Sequence, residues 1–395
     1  MAESERALQV DARPDVEEEI LLEAGATTSM GEEVYVAPPW KLMWWRFRKH
    51  KMALVSGVVL IILYFIALCC EFVAPYEPNE ASIRFKQVPP TAIHIRDAEG
   101  QFHWPFIYQH DRAMDPESFL ITYVEDTTIR YPIRLLVRGF EYKWLGRLTS
   151  DLHLFGLHPD AADKQGLFLL GTDRLGRDMF ARVCYGARIS LSMGLVSVFM
   201  SLVLGVLLGG VSGYFGGKID AIIQRVIEFV RTIPTIPLYM TLSAALPMDW
   251  PVVRVYFGLT MILALVGWTW MARVVRGRFL AMREEDFVLA ARLNGSSEMR
   301  IILRHMLPSF LSYIIAQLTL NIPNMILWET GLSFIGLGLR APAISWGVLL
   351  QEAMNLRSLV LAPWVLVPGI AVVLSVLAFN FVGDGLRDAA DPYAR

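Results

Sequence analysis

Two glycine-rich segments are the first places where this chain could carry out chemistry, because both resemble loops that bind phosphate groups. Residues 212–219, SGYFGGKI, resemble the P-loop, but Ser212 replaces its first glycine and Ile219 replaces the hydroxyl residue that holds Mg²⁺. Residues 336–341, GLGLRA, have the glycine spacing of a dinucleotide-binding turn, yet the pattern around them predicts no strand-helix-strand unit. We interpret both segments as glycines at helix ends and expect this chain to bind no nucleotide by itself.

Histidine and cysteine show no spacing that predicts a metal site or a catalytic centre. Five of the seven histidines lie between residues 94 and 158, without the close pairs that hold a metal. The three cysteines are an odd number, and Cys69 and Cys70 are adjacent in an apolar run, so they predict no disulfide framework. We therefore expect no catalytic residue, no metal and no cofactor on this chain.

The composition indicates a membrane protein. Of the 395 residues, 54% are hydrophobic and 19% are charged, whereas soluble domains have about 45–50% and about 25%. The formal net charge is −2, and residues 1–38 contribute ten acidic residues against two arginines. The composition argues against a soluble single-core enzyme, and the charge does not indicate a surface for nucleic acid.

Six long uncharged or nearly uncharged runs predict six transmembrane helices. The runs are residues 52–70, 189–217, 232–248, 255–272, 306–328 and 358–383. Most are long enough to cross about 30 Å of hydrocarbon at about 1.5 Å per residue. The third is preceded by an amphipathic stretch, residues 219–231, which we expect to lie at the interface and to bend near Pro234 and Pro237. The predicted fold class is an all-α polytopic membrane protein.

The basic residues predict the orientation of these helices. Residues 40–51 contain five lysines or arginines beside three tryptophans, which is typical of a cytoplasmic interface. Residues 273–305, between the fourth and fifth runs, contain seven arginines, whereas residues 249–254, between the third and fourth, contain only Arg254. We predict a cytoplasmic amino terminus and arginine-rich loop. Six crossings then place the carboxy terminus in the cytoplasm as well.

The chain divides into four regions by composition. Residues 1–38 predict a disordered acidic tail, and residues 39–76 a basic interfacial segment with the first span. Residues 77–165 contain short β-branched and aromatic runs, which predict a β-rich insertion on the outer face. Residues 166–395 hold the other five spans.

The segment 286–308, DFVLAARLNGSSEMRIILRHMLP, is the most informative part of the arginine-rich loop. Its pattern predicts a short helix that ends at Gly295 and a second helix capped by Ser296 or Ser297. Small residues allow close backbone approach, and Arg292 could anchor a partner protein. From the residues alone, an ordinary loop between two spans remains the simpler alternative.

This segment resembles the EAA loop of ABC importer permeases, the element that docks on the ATPase. The match is carried by Ala290-Ala291, Gly295 and the Leu307-Pro308 pair, whereas Leu289 stands where the signature often has Glu. The resemblance implies a coupling loop over about residues 273–306. The residues implied in ATPase coupling are Leu289, Ala290, Ala291, Arg292, Gly295, Ser296 and Ser297.

Four further segments are similar to the C-type permease subunits of dipeptide, oligopeptide and nickel importers. They are residues 171–178 (GTDRLGRD), 185–191 (YGARISL), 329–347 (ETGLSFIGLGLRAPAISWG) and 380–392 (NFVGDGLRDAADP). The resemblance implies a type I ABC importer fold in the bacterial inner membrane, with half of a peptide pathway in this chain. It also implies a second permease subunit in a heterodimer, two ATPase subunits that hold ATP and Mg²⁺, and a periplasmic binding protein.

Two groups of residues are candidates for contact with the cargo or with the binding protein. Prolines and polar residues within apolar runs are candidates for the pathway, namely Glu228, Pro234, Pro237, Asn321, Asn324 and Glu329. For Glu228, a structural pair with Arg225 or Arg231 is the favoured alternative. The candidates for binding-protein contact are Asp173, Arg174, Arg177 and Asp178.

The sequence is also compatible with other functions. An ion-gradient-driven transporter would need a coupling carboxylate or histidine deep in a span, and the centres of spans one, two, four and six lack one. An ABC permease could also carry nickel chelates or opine-like solutes. A membrane-anchored binding module would need one span, so six predicted spans argue against it.

Overall fold

The computed structural model describes residues 39–114, 116, 121–144, 146–158, 161 and 165–390. The predicted acidic tail, residues 1–38, lies outside this range. The α-helices are α1 (Pro39–Phe47), α2 (Lys51–Leu68), α3 (Cys70–Val73), α4 (Met179–Phe215), α5 (Gly217–Thr232), α6 (Thr235–Ala244), α7 (Val252–Met282), α8 (Asp286–Leu293), α9 (Glu298–Arg300), α10 (Leu307–Ser309), α11 (Leu311–Phe334), α12 (Trp346–Leu350), α13 (Leu356–Leu361) and α14 (Val367–Ala390). A π-helical turn spans Ile301–Met306, and 3₁₀ turns span Gln351–Met354 and Pro363–Leu366.

Within the described residues, four helical segments are long and apolar enough to cross a membrane. They are Lys51–Leu68, Met179–Phe215, Val252–Met282 and Pro363–Ala390. A fifth candidate is the pair Glu298–Ser309 and Leu311–Phe334, which is bent by 71°.

The predicted third span, residues 232–248, is not one continuous helix. The chain is extended at Ile233 and Pro234, and α6 is only 10 residues long. Proline has no N–H to donate and favours an extended residue before it, so the helix breaks at this point. The length and hydropathy of the helices therefore do not confirm six spans.

Small residues let α4 and α7 pack closely along their length. Gly205, Gly209 and Gly213 recur every four residues, so they lie on one face of α4. A Cβ added at Gly209 would lie 2.4 Å from the carbonyl oxygen of Ala272 on α7. Small residues at this spacing are typical of tight helix contacts in membranes. We did not predict this repeat, although the Gly-x-x-x-Gly spacing is visible in the sequence.

A second set of contacts surrounds α14, which packs against α2 and α11. Gly385 on α14 faces Ala53 on α2, and Gly383 faces Leu320 on α11. The largest buried cluster lies between these helices, α4 and α12, and includes Leu191, Ile326 and Trp346. The core is therefore formed by helices that are distant in sequence.

Five strands lie between α3 and α4 in the described part of the chain. They are β1 (His94–Arg96), β2 (Phe102–Met114), β3 (Ile121–Pro132), β4 (Arg134–Trp144) and β5 (Leu148–Gly156). They form two antiparallel sheets, β1-β2-β3 and β4-β5. A small core that includes Ile107 and Leu167 joins the first sheet to the segment before α4. The indole of Trp144 donates to the carbonyl of Leu68, 3.1 Å away, and attaches the second sheet to the end of α2.

Candidate functional site

The arginine-rich loop presents a short helix, α8, with one buried and one exposed side. Val288 and Ala291 are 0% and 8% exposed and pack in a cluster with Phe279 and Met306. On the other side, Leu289 and Leu293, one helical turn apart, are 40% and 89% exposed. Apolar side chains that stay exposed next to a firmly packed helix are typical of a surface that meets another protein.

The turn after α8 is a Schellman motif. Gly295 has φ of +72°, and its N–H donates to the carbonyl of Arg292. The N–H of Ser296 donates to the carbonyl of Ala291 at 3.1 Å. This pair of bonds ends a helix at a residue with positive φ, which only glycine adopts without strain. The predicted helix, turn and helix is confirmed.

One detail of the turn differs from the prediction. Ser297 is the residue before α9, but its hydroxyl accepts no capping N–H from the described residues. Its backbone carbonyl accepts the N–H of Ile301 at 3.0 Å instead. The second helix therefore begins through backbone bonds alone.

Two polar contacts attach this region to α4. The Nη2 atom of Arg292 lies 3.4 Å from the hydroxyl of Tyr214, with the guanidinium 5.6 Å from the ring centre. On α5, Asp220 accepts Nε and Nη2 of Arg276 at 2.5 Å each, and it also accepts the hydroxyl of Ser212 at 2.5 Å. A bidentate guanidinium–carboxylate pair fixes orientation as well as distance. The end of α4, the start of α5 and the end of α7 are thus held together.

The two segments that mimic phosphate loops have structural roles. Gly216 and Gly217 have φ of +65° and +56° and lie at the junction of α4 and α5. Gly336 has φ of +77° and follows α11. The interpretation as helix-end glycines is confirmed for both segments.

The residues predicted for the pathway separate into different environments. Glu228 is half-exposed and pairs with Arg225 at 3.1 Å, which is the structural alternative. Pro234 and Pro237 are exposed at the start of α6. Asn321 donates its side-chain N–H to the carbonyl of Gln317 within α11 at 2.8 Å.

Asn324 lines a cavity of about 400 Å³ between α6 and α11. Its other lining residues are mostly apolar and include Met240 and Trp328. Trp328 also packs against Tyr239 of α6, with ring centres 4.7 Å apart. Asn324 thus contributes a polar group to an otherwise apolar concave surface.

Glu329 lies in the core and is 1% exposed. It accepts the hydroxyls of Ser190 and Ser333, both at 2.9 Å. Ser190 also accepts the backbone N–H of Trp346 at 3.1 Å. Glu329 therefore joins α4, α11 and α12, and its hydrogen bonds explain how a carboxylate is accommodated there.

The loop before α4 is built around two buried carboxylates. Asp173 is 0% exposed and accepts the N–H groups of Leu175 and Arg177 at 2.8 and 3.0 Å. Asp178 is 2% exposed and caps α4 by accepting the N–H groups of Phe180 and Ala181 at 3.2 and 2.9 Å. Burial raises the pKa of Asp178 to about 7, against the effect of these bonds. Both side chains organise the loop from within.

The remaining charges of this loop face outward or form pairs. The side chain of Arg174 is 62% exposed, with its Nε 3.8 Å from Glu352. Arg177 donates its Nε to Asp173 at 2.6 Å.

A partly buried ion pair links α3 to α4 and was not predicted. Arg188 donates Nη1 and Nη2 to the carboxylate of Glu71 at 2.5 Å each, and its Nε to the carbonyl of Ala67 at 2.8 Å. Burial raises the pKa of Glu71, but the hydrogen bonds and charge of Arg188, together with hydrogen bonds from the backbone of Glu71 and from Cys70, leave this pKa below its ordinary value. The signal was an isolated acid at the end of one apolar run and an isolated arginine at the start of the next.

Metal-ligating side chains do not form a cluster in the described part of the chain. No group of three His, Cys, Asp or Glu residues there could hold a metal ion. Next to the first sheet, the carboxylate of Asp97 accepts hydrogen bonds from His103 Nε2 at 2.7 Å and from Arg130 Nη1 at 2.8 Å.

Comparison with known proteins places these features in one class, the membrane permease subunits of ABC importers. Residues 201–395 match the profile of the binding-protein-dependent transport system inner membrane component. Residues 38–90 match the N-terminal transmembrane domain of oligopeptide transport permease C. The chain belongs to this family and is a C-type peptide ABC permease, as the sequence resemblance predicted.

Individual relatives agree with this assignment. The chain is 40% identical to the dipeptide transport system permease protein DppC of Bacillus subtilis (strain 168), over 57% of this chain and 68% of that protein. It is 32% identical to the DppC of Lactococcus lactis subsp. cremoris (strain MG1363), over 89% of this chain and 90% of that protein. Among solved structures, it is similar to an inward-facing MetNI methionine ABC transporter, with 22% identity, a TM-score of 0.40, and coverage of 53% of this chain and 96% of that one.

Family membership has direct consequences. The chain is a transport component with several apolar helices, not an enzyme. ATP hydrolysis belongs to separate ATPase subunits, and the permease works with them and with a second permease.

Proposed function

We propose that this chain forms one half of the pathway of an ATP-driven importer for di- or oligopeptides. The proposal is supported by the names of its relatives, which include dipeptide and oligopeptide transport permeases. The observation that carries it is the packing of α8, which is anchored by Val288 and Ala291 and leaves Leu293 exposed. A helix held in this way can transmit the motion of a partner into the membrane helices.

The coupling step uses the turn between α8 and α9. ATP and Mg²⁺ bind to the ATPase pair, whose closure moves α8 together with residues 289–297. The apolar cluster around Phe279 and the contact between Arg292 and Tyr214 carry this motion to α7 and α4. Because packed helices move as rigid bodies, a shift at α8 changes which end of the pathway is open. ATP acts through its different affinity for the two states.

The pathway itself is completed by a second, different permease subunit. Exposed residues of α6 and the concave surface between α6 and α11 provide the half that this chain contributes, with Asn324 as a polar contact. In this arrangement, α5 lies at the cytoplasmic interface and α6 with the following residues forms a sixth, irregular crossing. Irregular backbone at membrane depth is tolerated where it borders a water-filled cavity.

The outer face receives a soluble, periplasmic peptide-binding protein. In our proposal both termini are cytoplasmic, so residues 77–165 with their two sheets are extracytoplasmic. The exposed Arg174 and the strands provide the contact surface, whereas Asp173 and Asp178 hold the loop in shape. Residues 39–76 and 166–395 form the membrane body of the subunit.

The decisive experiment is peptide uptake by the reconstituted transporter. Proteoliposomes would contain this chain, its partner permease and the two ATPases, with binding protein and a labelled dipeptide on one side. We expect uptake that requires ATP and the binding protein and that is insensitive to proton or sodium ionophores. A Walker-A lysine variant of the ATPases provides the matched control.

Different outcomes separate the alternatives. Uptake that persists without ATP on an ion gradient would favour a secondary transporter. ATP-driven uptake of a nickel chelate or an opine, with no transport of peptides, would keep the class and change the cargo.

A further inference from the structure

A pocket of about 310 Å³ lies between the loop before α4 and the segment around α12. Three arginines line it, Arg174, Arg177 and Arg182, together with Glu352, which lies beside Arg174. Arg174 is mostly exposed at its mouth, whereas the side chain of Arg182 is 5% exposed. A volume of this size is at the lower end of the range for small-ligand sites.

Arg182 is the unusual member of the set. Its Nη1 donates to the carbonyl of Pro78 at 3.3 Å, and its Nε lies 3.8 Å from the carboxylate of Asp173. The Nε atom has no hydrogen-bond acceptor among the described residues. A buried, charged donor without an acceptor is costly. An acceptor that a ligand supplies at this position would therefore stabilise Arg182.

The charges around the pocket leave it positive. Asp173 is committed to Arg177 at 2.6 Å and is itself buried. Glu352 accepts the backbone N–H of Arg174 at 2.9 Å, and its distance of 3.8 Å from the Arg174 Nε leaves that side chain weakly paired. Three guanidinium groups therefore face two carboxylates, which favours one negative charge in the pocket.

The apolar part of the lining is suited to a small organic ligand. Ala341, Val348 and Leu349 contribute apolar surface beside the arginines. A guanidinium binds a carboxylate through two parallel N–H bonds, and an apolar wall accommodates the group next to it.

We propose that this pocket binds the carboxylate of a small solute, the C-terminal carboxylate of a short peptide. The inference rests on the proposed function and makes it more specific, because it assigns a recognition site for cargo to the permease. The carboxylate accepts from Arg182 at the base and from Arg174 at the mouth. The peptide side chain lies against Val348, and Glu352 faces the amino end.

The test uses the assembled transporter in lipid nanodiscs, without nucleotide and without binding protein. The probes are dialanine and dialanine amide, which differ only in the carboxylate, and binding is followed by saturation-transfer NMR and calorimetry. We expect the amide to bind about tenfold more weakly or not at all, because it lacks the charge-assisted bonds.

Two variants and one control locate the site. Arg174→Gln should weaken dialanine binding about tenfold, and Arg182→Lys should also weaken it, because lysine keeps the charge but loses the planar fork. Arg340→Gln is the control, since Arg340 is exposed, donates to the carbonyl of Gly336 at 2.8 Å and lines a different pocket. It should bind dialanine like the unmodified protein.

Three results would overturn the assignment. One is equal affinity for dialanine and its amide, and another is equal affinity of Arg174→Gln and Arg340→Gln for dialanine. The third is that dialanine does not bind while the binding protein docks more weakly to Arg174→Gln. This result would show that the pocket binds an acidic side chain of the binding protein. In each case the unmodified transporter would still show ATP-driven uptake, whereas absence of that uptake would refute the proposed function alone.

Discussion

At the scale of single residues, buried carboxylates decide how the outer loop is held. Asp178 occupies the N-cap of α4, where two backbone N–H groups point at it. The helix dipole and these bonds favour its charged form, but complete burial and the nearby Asp173 oppose it. The balance is unusual for a capping residue, whose side chain is normally hydrated.

The pKa of Asp178 predicts a pH dependence of stability. Burial raises the pKa of Asp178 to about 7, above the ordinary value of about 4, so the folded state binds this proton more tightly than the unfolded state. The stabilisation from protonated Asp178 is therefore complete below about pH 4 and is lost as pH rises through about 7. Asp178→Asn keeps a capping oxygen and cannot ionise, so it should remove this dependence.

Thermal unfolding of the purified transporter at pH 5 and pH 8 checks the expectation. The difference in apparent melting temperature should shrink in Asp178→Asn and persist in Asp249→Asn, an exposed control. A variant that keeps the full pH difference would show that another group is responsible.

At the scale of elements, the α4–α7 contact and the α8 turn each depend on a glycine for a different reason. Gly209 is required for space, because the backbone of Ala272 occupies the position of a side chain. Gly295 is required for conformation, because its φ is positive while nothing lies within 4 Å of an added Cβ. The two positions can therefore be tested separately.

Substitution of Gly209 should separate the two helices. Gly209→Ala is expected to destabilise the permease by about 1–3 kcal/mol, since a rigid backbone must move away. Gly57→Ala on α2, where an added Cβ meets nothing within 4 Å, is the matched control. Folded yield and melting temperature in detergent measure the effect. Equal yields from the two variants would contradict the close contact.

Substitution of Gly295 should affect coupling more than folding. Gly295→Ala introduces strain of about 1–2 kcal/mol at the turn, and Gly295→Pro also removes the N–H that bonds to Arg292. We expect membrane insertion to continue while the ratio of peptide uptake to ATP hydrolysis falls, most strongly for proline.

The control for this experiment is Gly277→Ala, which has equal space and an ordinary helical conformation. It should leave the ratio unchanged. Normal ATPase association and transport in Gly295→Pro would remove the docking assignment.

At the scale of the whole molecule, the helices contact the strands mainly through β4 and β5, which lie against α3. The far end of the β2–β3 hairpin exposes Met114 by 61% and Val124 by 57%. Exposed apolar groups on a hairpin favour contact with another protein. This agrees with our proposal that the insertion receives the binding protein.

Shortening this hairpin should weaken docking and leave the membrane body intact. Gln109 and Asp126 are directly paired, so residues 110–125 can be replaced by Asn-Gly, which closes a two-residue hairpin. We expect the dissociation constant of the binding protein to rise about tenfold or more, with unchanged assembly of the ATPases as the control. Surface plasmon resonance on nanodiscs measures it, and an unchanged constant would refute a docking role for the hairpin.

The local sequence pattern determined several of the helices and helix ends of this protein, and its family. Uncharged runs give helices such as α2, because a helix in lipid must satisfy its polar groups internally. A helix that ends at Gly295 could be predicted because helix stop signals lie within a few residues of each other. The same short motifs were sufficient to identify the family.

Tertiary structure alone decided where the polar residues lie. Glu329 was a pathway candidate, yet it bonds to Ser190, 139 positions away, and belongs to the core. Asp173 was a surface candidate but is buried, and Arg182 became part of a pocket only when the segment around Glu352 packed against it. No local pattern encodes these pairings, because they depend on which distant helices meet, and burial then determines whether a charge faces a partner, a ligand or water.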